Sequence, residues 1–199
     1  MPHVFEVNAD GVEIVAKERP HIQDQDWWVI EGAYRSGEID ALITSLKEIV
    51  FFTSAEHEEG PRGPVSGDWQ HGMVAFLPDH HWASIKMASI VKTVAWMVER
   101  CRLPYWRCLQ LAYYTRGMYL AEHVDASLAG YNHRLWTGVC ELQGATDGGL
   151  VITGQTVHLN AGDVAVFRST TPYRVETPTK GVRVHMTQWM SSNRRFAED

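Results

Sequence analysis

The apolar positions of this chain change their period near residue 105. Before it, Ile39, Leu42, Ile43, Leu46 and Ile49 recur at helical spacing. They predict a helix capped by Ser36 and running to about Phe52. Met87, Ile90, Val91, Val94, Met97 and Val98 form a second stripe. It predicts a helix capped by Asp79 and reaching about Arg100, with Leu103-Pro104 beyond its end, because a residue before proline is pushed out of the helical conformation. Between the two, residues 53–80 are rich in turn formers, among them Gly60, Pro61, Gly63, Pro64, Gly67 and Gly72, and only Met73 to Leu77 reads as a strand. A connection this long is usually functional, and the stretch from about Gly60 to Leu77 is the natural candidate for a lid.

After residue 105 the period shortens. Residues 106–114, 119–125, 135–142, 150–153, 156–160, 163–168, 173–176 and 182–190 read as short strands separated by Gly, Asn, Asp or Pro. A helical first half followed by eight short strands predicts an α+β chain whose second half is a sandwich or small barrel.

Length refines this picture. With 199 residues the chain is expected to form one domain, 1–199: a helical flank with a long loop over 1–104, a strand-built core over 105–190 and a short polar tail over 191–199. The N-terminal stretch lacks a basic start followed by an apolar block, and Ile49 to Phe52 and Leu109 to Tyr114 are too short to span a bilayer, so a cytoplasmic protein without a membrane segment is expected. A net charge of −6 argues against a sequence-independent hold on nucleic acid. Cys101, Cys108 and Cys140 show no metal-type spacing and read as reduced, buried thiols. Of the eight tryptophans, Trp27, Trp28, Trp82, Trp96, Trp106, Trp136 and Trp189 are expected mostly in the core, and Trp69, in the long loop, is a candidate substrate contact.

Candidate chemistry centres on residues 109–127. Side chains two apart on a strand share a face, so His123 and Asp125 aim an imidazole and a carboxylate at one point. That is the local half of the two-histidine, one-carboxylate facial triad that holds iron(II). A lone His-x-Asp is weak, but here it belongs to an ordered series. Tyr114-x-x-Gly117 precedes it; Arg134-x-x-Thr137, Gly148-Gly149, His158 to Asp163, Pro178-x-x-Gly181-x-Arg183 and Trp189 follow.

This order and spacing, over roughly residues 105–190, resembles the prolyl 4-hydroxylase-like branch of the iron(II)/2-oxoglutarate dioxygenases. The resemblance implies a double-stranded β-helix (a cupin-like jelly roll) with N-terminal helices packed on its major sheet. It implies His123 and Asp125 as metal ligands, Fe(2+) and 2-oxoglutarate as cofactors, and Arg183 as the partner of the cosubstrate's far carboxylate, a task suited to a guanidinium. Tyr114 resembles the tyrosine that leans into the cosubstrate pocket, and Thr137 lies on the same strand face as the position that often assists it. Arg134 is a candidate for substrate contact or for tying strands together. The implied partners are O2 and a small-molecule or amino-acid-like substrate, and the assembly state, a homodimer included, stays open.

Three positions depart from the family pattern. The distal histidine is expected ten residues before Arg183, where Tyr173 stands. Glu141, on the same face as Thr137 and Val139, is placed to pair with Arg183 and to repel the cosubstrate. His185, two residues beyond Arg183, is either an alternative third ligand or a core histidine. Three readings follow: a 2-oxoglutarate-dependent oxygenase with an unusual metal shell, a metal-dependent oxygenase or oxidase of the same fold that does not use 2-oxoglutarate, or a non-catalytic binding module.

Overall fold

The computed structural model describes residues 4–7, 14–16, 26–49, 52–53, 70–106, 108–126, 133–145 and 147–193. Its strands are β1 (Val4–Val7), β2 (Ile14–Ala16), β3 (Trp27–Glu31), β4 (Phe52–Thr53), β5 (Gln70–His71), β6 (Met73–Leu77), β7 (Tyr105–Trp106), β8 (Leu109–Tyr114), β9 (Tyr119–His123), β10 (Trp136–Gln143), β11 (Leu150–Ile152), β12 (Gln155–Val157), β13 (Val164–Arg168), β14 (Tyr173–Val175) and β15 (Arg183–Ser191). Its α-helices are α1 (Ser36–Ser45) and α2 (Trp82–Glu99).

The strands form two sheets. The larger runs β2-β1-β3-β13-β10-β15-β8-β6-β4, with β7 pairing β15, and the smaller runs β12-β11-β14-β9-β5. Every pairing is antiparallel except β1 with β3. This is the jelly-roll arrangement of a double-stranded β-helix with the helices on the larger sheet.

Strand parity sorts the side chains of the larger sheet into two cores. Trp28, Ile30, Leu109, Leu111, Trp136, Cys140, Val164, Val166, Met186 and Met190 meet the helices, packing with Ile39 and Leu42 of α1 and Met87, Ile90, Val91 and Val94 of α2. Full burial of each such aliphatic side chain stabilises the fold by about 1.5–3 kcal/mol. The alternate residues, Val29, Ala112, Tyr114, Val139, Ala165 and Phe167, face the smaller sheet and pack with Leu120, Leu150, Ile152, Val157, Tyr173 and Val175. This second core forms the wall of the site.

Gly138 sets how close α2 lies: a Cβ there would sit 2.6 Å from Val91 Cγ2 and 3.1 Å from Met87 Sδ. Gly162, at φ +96°, leads into β13 and lies against the carbonyl of Tyr34, which a Cβ would meet at 2.3 Å. A side chain at Gly162 is excluded by both backbone conformation and space.

Several element boundaries differ from the sequence expectation. The first helix ends at Ser45 and passes into a 3-10 turn, Leu46–Glu48. Its N-cap is Arg35, whose backbone N–H donates to Glu38, three residues on, at 2.8 Å; Ser36 is the first helical residue. The second helix is capped by His81, whose ring nitrogen accepts from the Ala83 N–H at 3.2 Å. Asp79 lies in the turn before it, closed by the His81 N–H on the Pro78 carbonyl. Arg100 ends that helix in the left-handed conformation, with its N–H turned back on the last turn.

The flank contributes strands as well as helices: β3 pairs β13, and β6 pairs β8. In the stretch expected to act as a lid, Gln70–His71 and Met73–Leu77 are strands, and residues 60–69, with the substrate candidate Trp69, lie outside the described residues. Trp82 and Trp96 are corrections to the expected core, being about two-fifths exposed on α2. No described helix is long and apolar enough to cross a membrane.

Candidate metal and cosubstrate site

His123 ends β9, and Asp125 follows it two residues later. The His123 Nδ1 lies 2.9 Å from the Ala121 carbonyl. A carbonyl only accepts, so Nδ1 carries a proton, and Nε2 is the nitrogen turned towards the site. Nε2 stands 3.4 Å from Oδ1 of Asp125. The other carboxylate oxygen, Oδ2, accepts from the Thr137 hydroxyl at 2.7 Å, and Thr137 Oγ1 lies 2.9 Å from Ser169 Oγ. Nδ1 of His123 and Oδ2 of Asp125 are thus held by the backbone and by Thr137, and Nε2 and Oδ1 face each other.

Asp125 is buried. Burial pulls its carboxyl upwards, but the hydrogen bond with His123, the charge of Arg134 and the Thr137 hydroxyl outweigh it and hold the group below the usual carboxylate range. Arg134 Nη1 lies 3.9 Å from Asp125 Oδ1, and its guanidinium stacks 3.9 Å from the centroid of the Trp189 ring.

Tyr173 enters from β14, directly opposite His123 in the strand register. Its ring lies between His123 (centroids 4.4 Å apart) and Phe167 (5.0 Å). Its hydroxyl donates to Asp125 Oδ1 at 3.2 Å, the same oxygen that faces His123. Burial first, and the Asp125 charge second, push the phenol well above its ordinary pKa. It is therefore a neutral hydrogen-bond donor.

Arg183 and His185 lie on β15, on the inner face of the larger sheet. Arg183 is opposite Tyr114, and His185 opposite both Ala112 of β8 and Glu141 of β10. Arg183 Nε stands 3.4 Å from Glu141 Oε2, with both side chains buried. Among the described residues no hydrogen-bond partner reaches Glu141 Oε1 or Nε and Nη1 of Arg183, while Arg183 Nη2 reaches the Gly148 carbonyl at 3.5 Å. Burial raises the Glu141 carboxyl to about 7 against the pull of Arg183. His185 packs edge-on against Tyr114 at 5.1 Å, and burial, with the Arg183 charge second, lowers it to about 3.

Two clusters of predicted residues emerge. His123, Asp125, Tyr173, Thr137 and Arg134 meet at the first, and Arg183, Glu141, His185 and Tyr114 at the second. Thr137 is placed on the Asp125 carboxylate. Among the described residues no three His, Cys, Asp or Glu side chains converge as a metal site. Sequence reasoning missed Ser169, Phe167 and the Ala121 carbonyl. Parity along β13 would have found two of them, since residues 165, 167 and 169 alternate onto the inner face.

The donor set fits a metal at two positions. Two ligands about 2.1 Å from one first-row cation, in adjacent positions, lie roughly 3.0–3.4 Å apart, which matches the separation of Nε2 and Oδ1. The backbone-held imidazole and the hydroxyl-held carboxylate are the outer-shell ties that metal ligands typically carry. The third position holds a neutral phenol, which is a poor ligand.

Residues 109–191 match the family model described as the 2OG-Fe(II) oxygenase superfamily. No curated protein matches the sequence. Among solved structures, a prolyl-4-hydroxylase of Pseudomonas putida is similar with a TM-score of 0.65 at 16% identity, covering 86% of this chain and 95% of that one. A viral collagen prolyl hydroxylase of Paramecium bursaria Chlorella virus-1, solved as a 2OG complex, has a TM-score of 0.65 at 16% identity over 87% of this chain and 100% of its own. A prolyl hydroxylase of Trichoplax adhaerens, in complex with a hypoxia inducible factor oxygen degradation domain peptide, has a TM-score of 0.67 at 14% identity, covering 89% of each chain. Identities this low speak for the fold, while the family model matches the strands that carry both clusters. Residues 109–191 thus match the 2OG-Fe(II) oxygenase superfamily model, and the chain has the fold of the prolyl-4-hydroxylase structures.

Proposed function

We propose that His123 Nε2 and Asp125 Oδ1 hold iron(II) as the two protein ligands, and that Arg183 receives the far carboxylate of 2-oxoglutarate. The protein then oxidises an amino acid, a peptidyl residue or a small metabolite. The observation that carries this reading is the 3.4 Å approach of Nε2 and Oδ1, with Nδ1 held at the Ala121 carbonyl and Oδ2 by the Thr137 hydroxyl. When bound, iron(II) and 2-oxoglutarate supply the dioxygen-dependent oxidation, with the cosubstrate leaving as succinate and carbon dioxide.

The chain's own residues have separable tasks. Thr137, backed by Ser169, fixes the carboxylate plane of Asp125. The Ala121 carbonyl fixes the imidazole. Tyr173 donates to Oδ1 and fills the side of the site from which a third protein ligand would come. Val139, Phe167 and Tyr114 belong to the buried apolar core facing the smaller sheet, which keeps water away. By name, one of the similar structures is a collagen prolyl hydroxylase and another a prolyl hydroxylase in complex with a hypoxia inducible factor peptide fragment, which supports keeping peptidyl residues among the substrates.

The test is anaerobic titration with iron(II) followed by 2-oxoglutarate. The expected result is the weak visible charge-transfer band of the chelate, and succinate once oxygen is admitted. Iron binding without either result would remove 2-oxoglutarate from the account. It would favour a second reading, metal-dependent oxidation without this cosubstrate, for which the pairing of Glu141 with Arg183 speaks. Failure of any divalent metal to bind at micromolar levels would leave a binding module.

A further inference from the structure

The second cluster holds a buried guanidinium beside a buried carboxyl, and neither is saturated. Oε1 of Glu141 and Nε and Nη1 of Arg183 find no hydrogen-bond partner among the described residues. At 3.4 Å the pair is a loose contact, not the two-bond fork that Arg and a carboxylate form when each is the other's only partner. Gly144 and Gly149 border the pair: a Cβ at Gly144 would lie 4.0 Å from Glu141 Oε1, and one at Gly149 3.8 Å from Arg183 Nη1, both ordinary van der Waals distances.

The charges facing Glu141 are few. On β15 they are Arg183 and His185, and His185 is neutral over the working range because of its burial. On β10 the neighbouring Cys140 turns to the helix face, where burial keeps it a thiol. Beyond the strand, Asp163 is already engaged, with Oδ1 accepting from the Gly32 N–H and Oδ2 from the Asn160 N–H, each at 2.8 Å. Tyr114, on β8, packs on His185. Among the described residues one cation, Arg183, therefore faces Glu141.

One guanidinium cannot balance two carboxylates in a dry site, and like charges this close do not both stay ionised. We propose that Arg183 and Glu141 receive the far carboxylate of 2-oxoglutarate together, Glu141 taking one proton from solvent as the ligand enters and donating it in a hydrogen bond to that carboxylate. This rests on the reading of Arg183 given above. The proton comes from bulk water, the ligand stays a dianion, and the cluster passes from one cation and one anion to one cation, one neutral acid and one bound carboxylate. The position of the Glu141 carboxyl, at about 7, puts the exchange within the physiological range. Glu141 thereby makes cosubstrate binding proton-coupled, a property Arg183 alone does not give.

The experiment is calorimetric titration of 2-oxoglutarate into the full chain loaded with Mn(II), without oxygen, in buffers of differing ionisation enthalpy. Binding should weaken about 30-fold between pH 6 and pH 8.5. Proton uptake should approach one per ligand at pH 8.5 and fall towards zero at pH 6. Glu141→Gln should bind with no uptake and a flat pH profile. Infrared difference spectra of the wild type with ¹³C-labelled 2-oxoglutarate give a second readout that needs no variant: a protonated carboxyl stretch should appear on binding at pH 8.5. Tight, pH-independent binding without uptake, or uptake unchanged in Glu141→Gln, would overturn the proton coupling and leave the cosubstrate reading intact. Absence of binding to both proteins at every pH would overturn the cosubstrate reading, and this inference with it.

Discussion

Replacing Tyr173 probes the most unusual feature of the first cluster. Its hydroxyl donates to Asp125 Oδ1, the oxygen assigned to the metal. Oδ2 is held by Thr137, so a metal and the phenol proton compete for one atom. A hydrogen bond to a charged acceptor contributes about 1.5–3 kcal/mol, and at 3.2 Å the lower end applies. Removing a competitor of ~1.5 kcal/mol should tighten metal binding about tenfold. Tyr173→Phe does this and keeps the ring that packs between His123 and Phe167. Tyr173→His removes the same competitor and adds an imidazole opposite His123, so it should bind more tightly still. Mn(II) titrations of the three proteins at one pH, followed by calorimetry, measure both steps. A tenfold or greater loss of affinity in Tyr173→Phe would refute the reasoning, because it would make the phenol oxygen itself a ligand.

Other outcomes follow from burial and charge. Thr137→Val leaves Asp125 Oδ2 without its hydroxyl and should weaken Mn(II) binding about 10–100-fold, as loss of an outer-shell tie does; a tightened affinity would mean Oδ2 is the ligand oxygen. Glu141, raised to about 7 in the fold, favours folding below its unfolded pKa near 4.5 and loses that advantage, about 3 kcal/mol, as pH rises to 7. His185, lowered to about 3, does the opposite: its contribution is present above about 6.5 and is lost as pH falls towards 3. Between pH 4.5 and 6.5 the two slopes oppose each other, so urea melts should show a nearly flat stability in the wild type, a rising one with pH in Glu141→Gln and a falling one in His185→Gln. Parallel profiles in all three proteins would contradict this. Gly138→Ala places a methyl 2.6 Å from Val91 Cγ2 and should cost about 1–3 kcal/mol, read as a drop of several degrees in Tm; an unchanged Tm would mean α2 lies further from the sheet.

The strand core was legible because alternation is a strong signal where one face is buried. All eight predicted segments contain strands, within a few residues at each end, and the parity that put Thr137, Val139 and Glu141 on one face is the parity observed. Glu141 facing Arg183 was legible for the same reason. Helix termini were less so. Ser36 and Asp79 are good capping types, but a cap depends on how the preceding turn closes, and here the Pro78 carbonyl and the ring of His81 decide it. The strands β3 and β6 joining the larger sheet are long-range pairings that local pattern does not encode. Trp82 and Trp96 lie on α2 positions that miss its buried stripe, so their type suggested a burial that the helix period denies. Sequence spacing singled out Tyr173 as a departure. Its donation to Asp125 Oδ1 required the β9–β14 register, which places it across from His123.

The central claim is that His123 and Asp125 are the two protein ligands and Arg183 is the cosubstrate anchor. A crystal structure of the full chain with Mn(II) and 2-oxoglutarate, grown without oxygen and with the metal located by its anomalous scattering, tests it most directly. The account predicts the metal between His123 Nε2 and Asp125 Oδ1, the Tyr173 oxygen outside bonding distance, and the far carboxylate of the ligand on Arg183 and Glu141. A metal bound through His185 or the Tyr173 oxygen, or a ligand that leaves Arg183 paired with Glu141 alone, would contradict it.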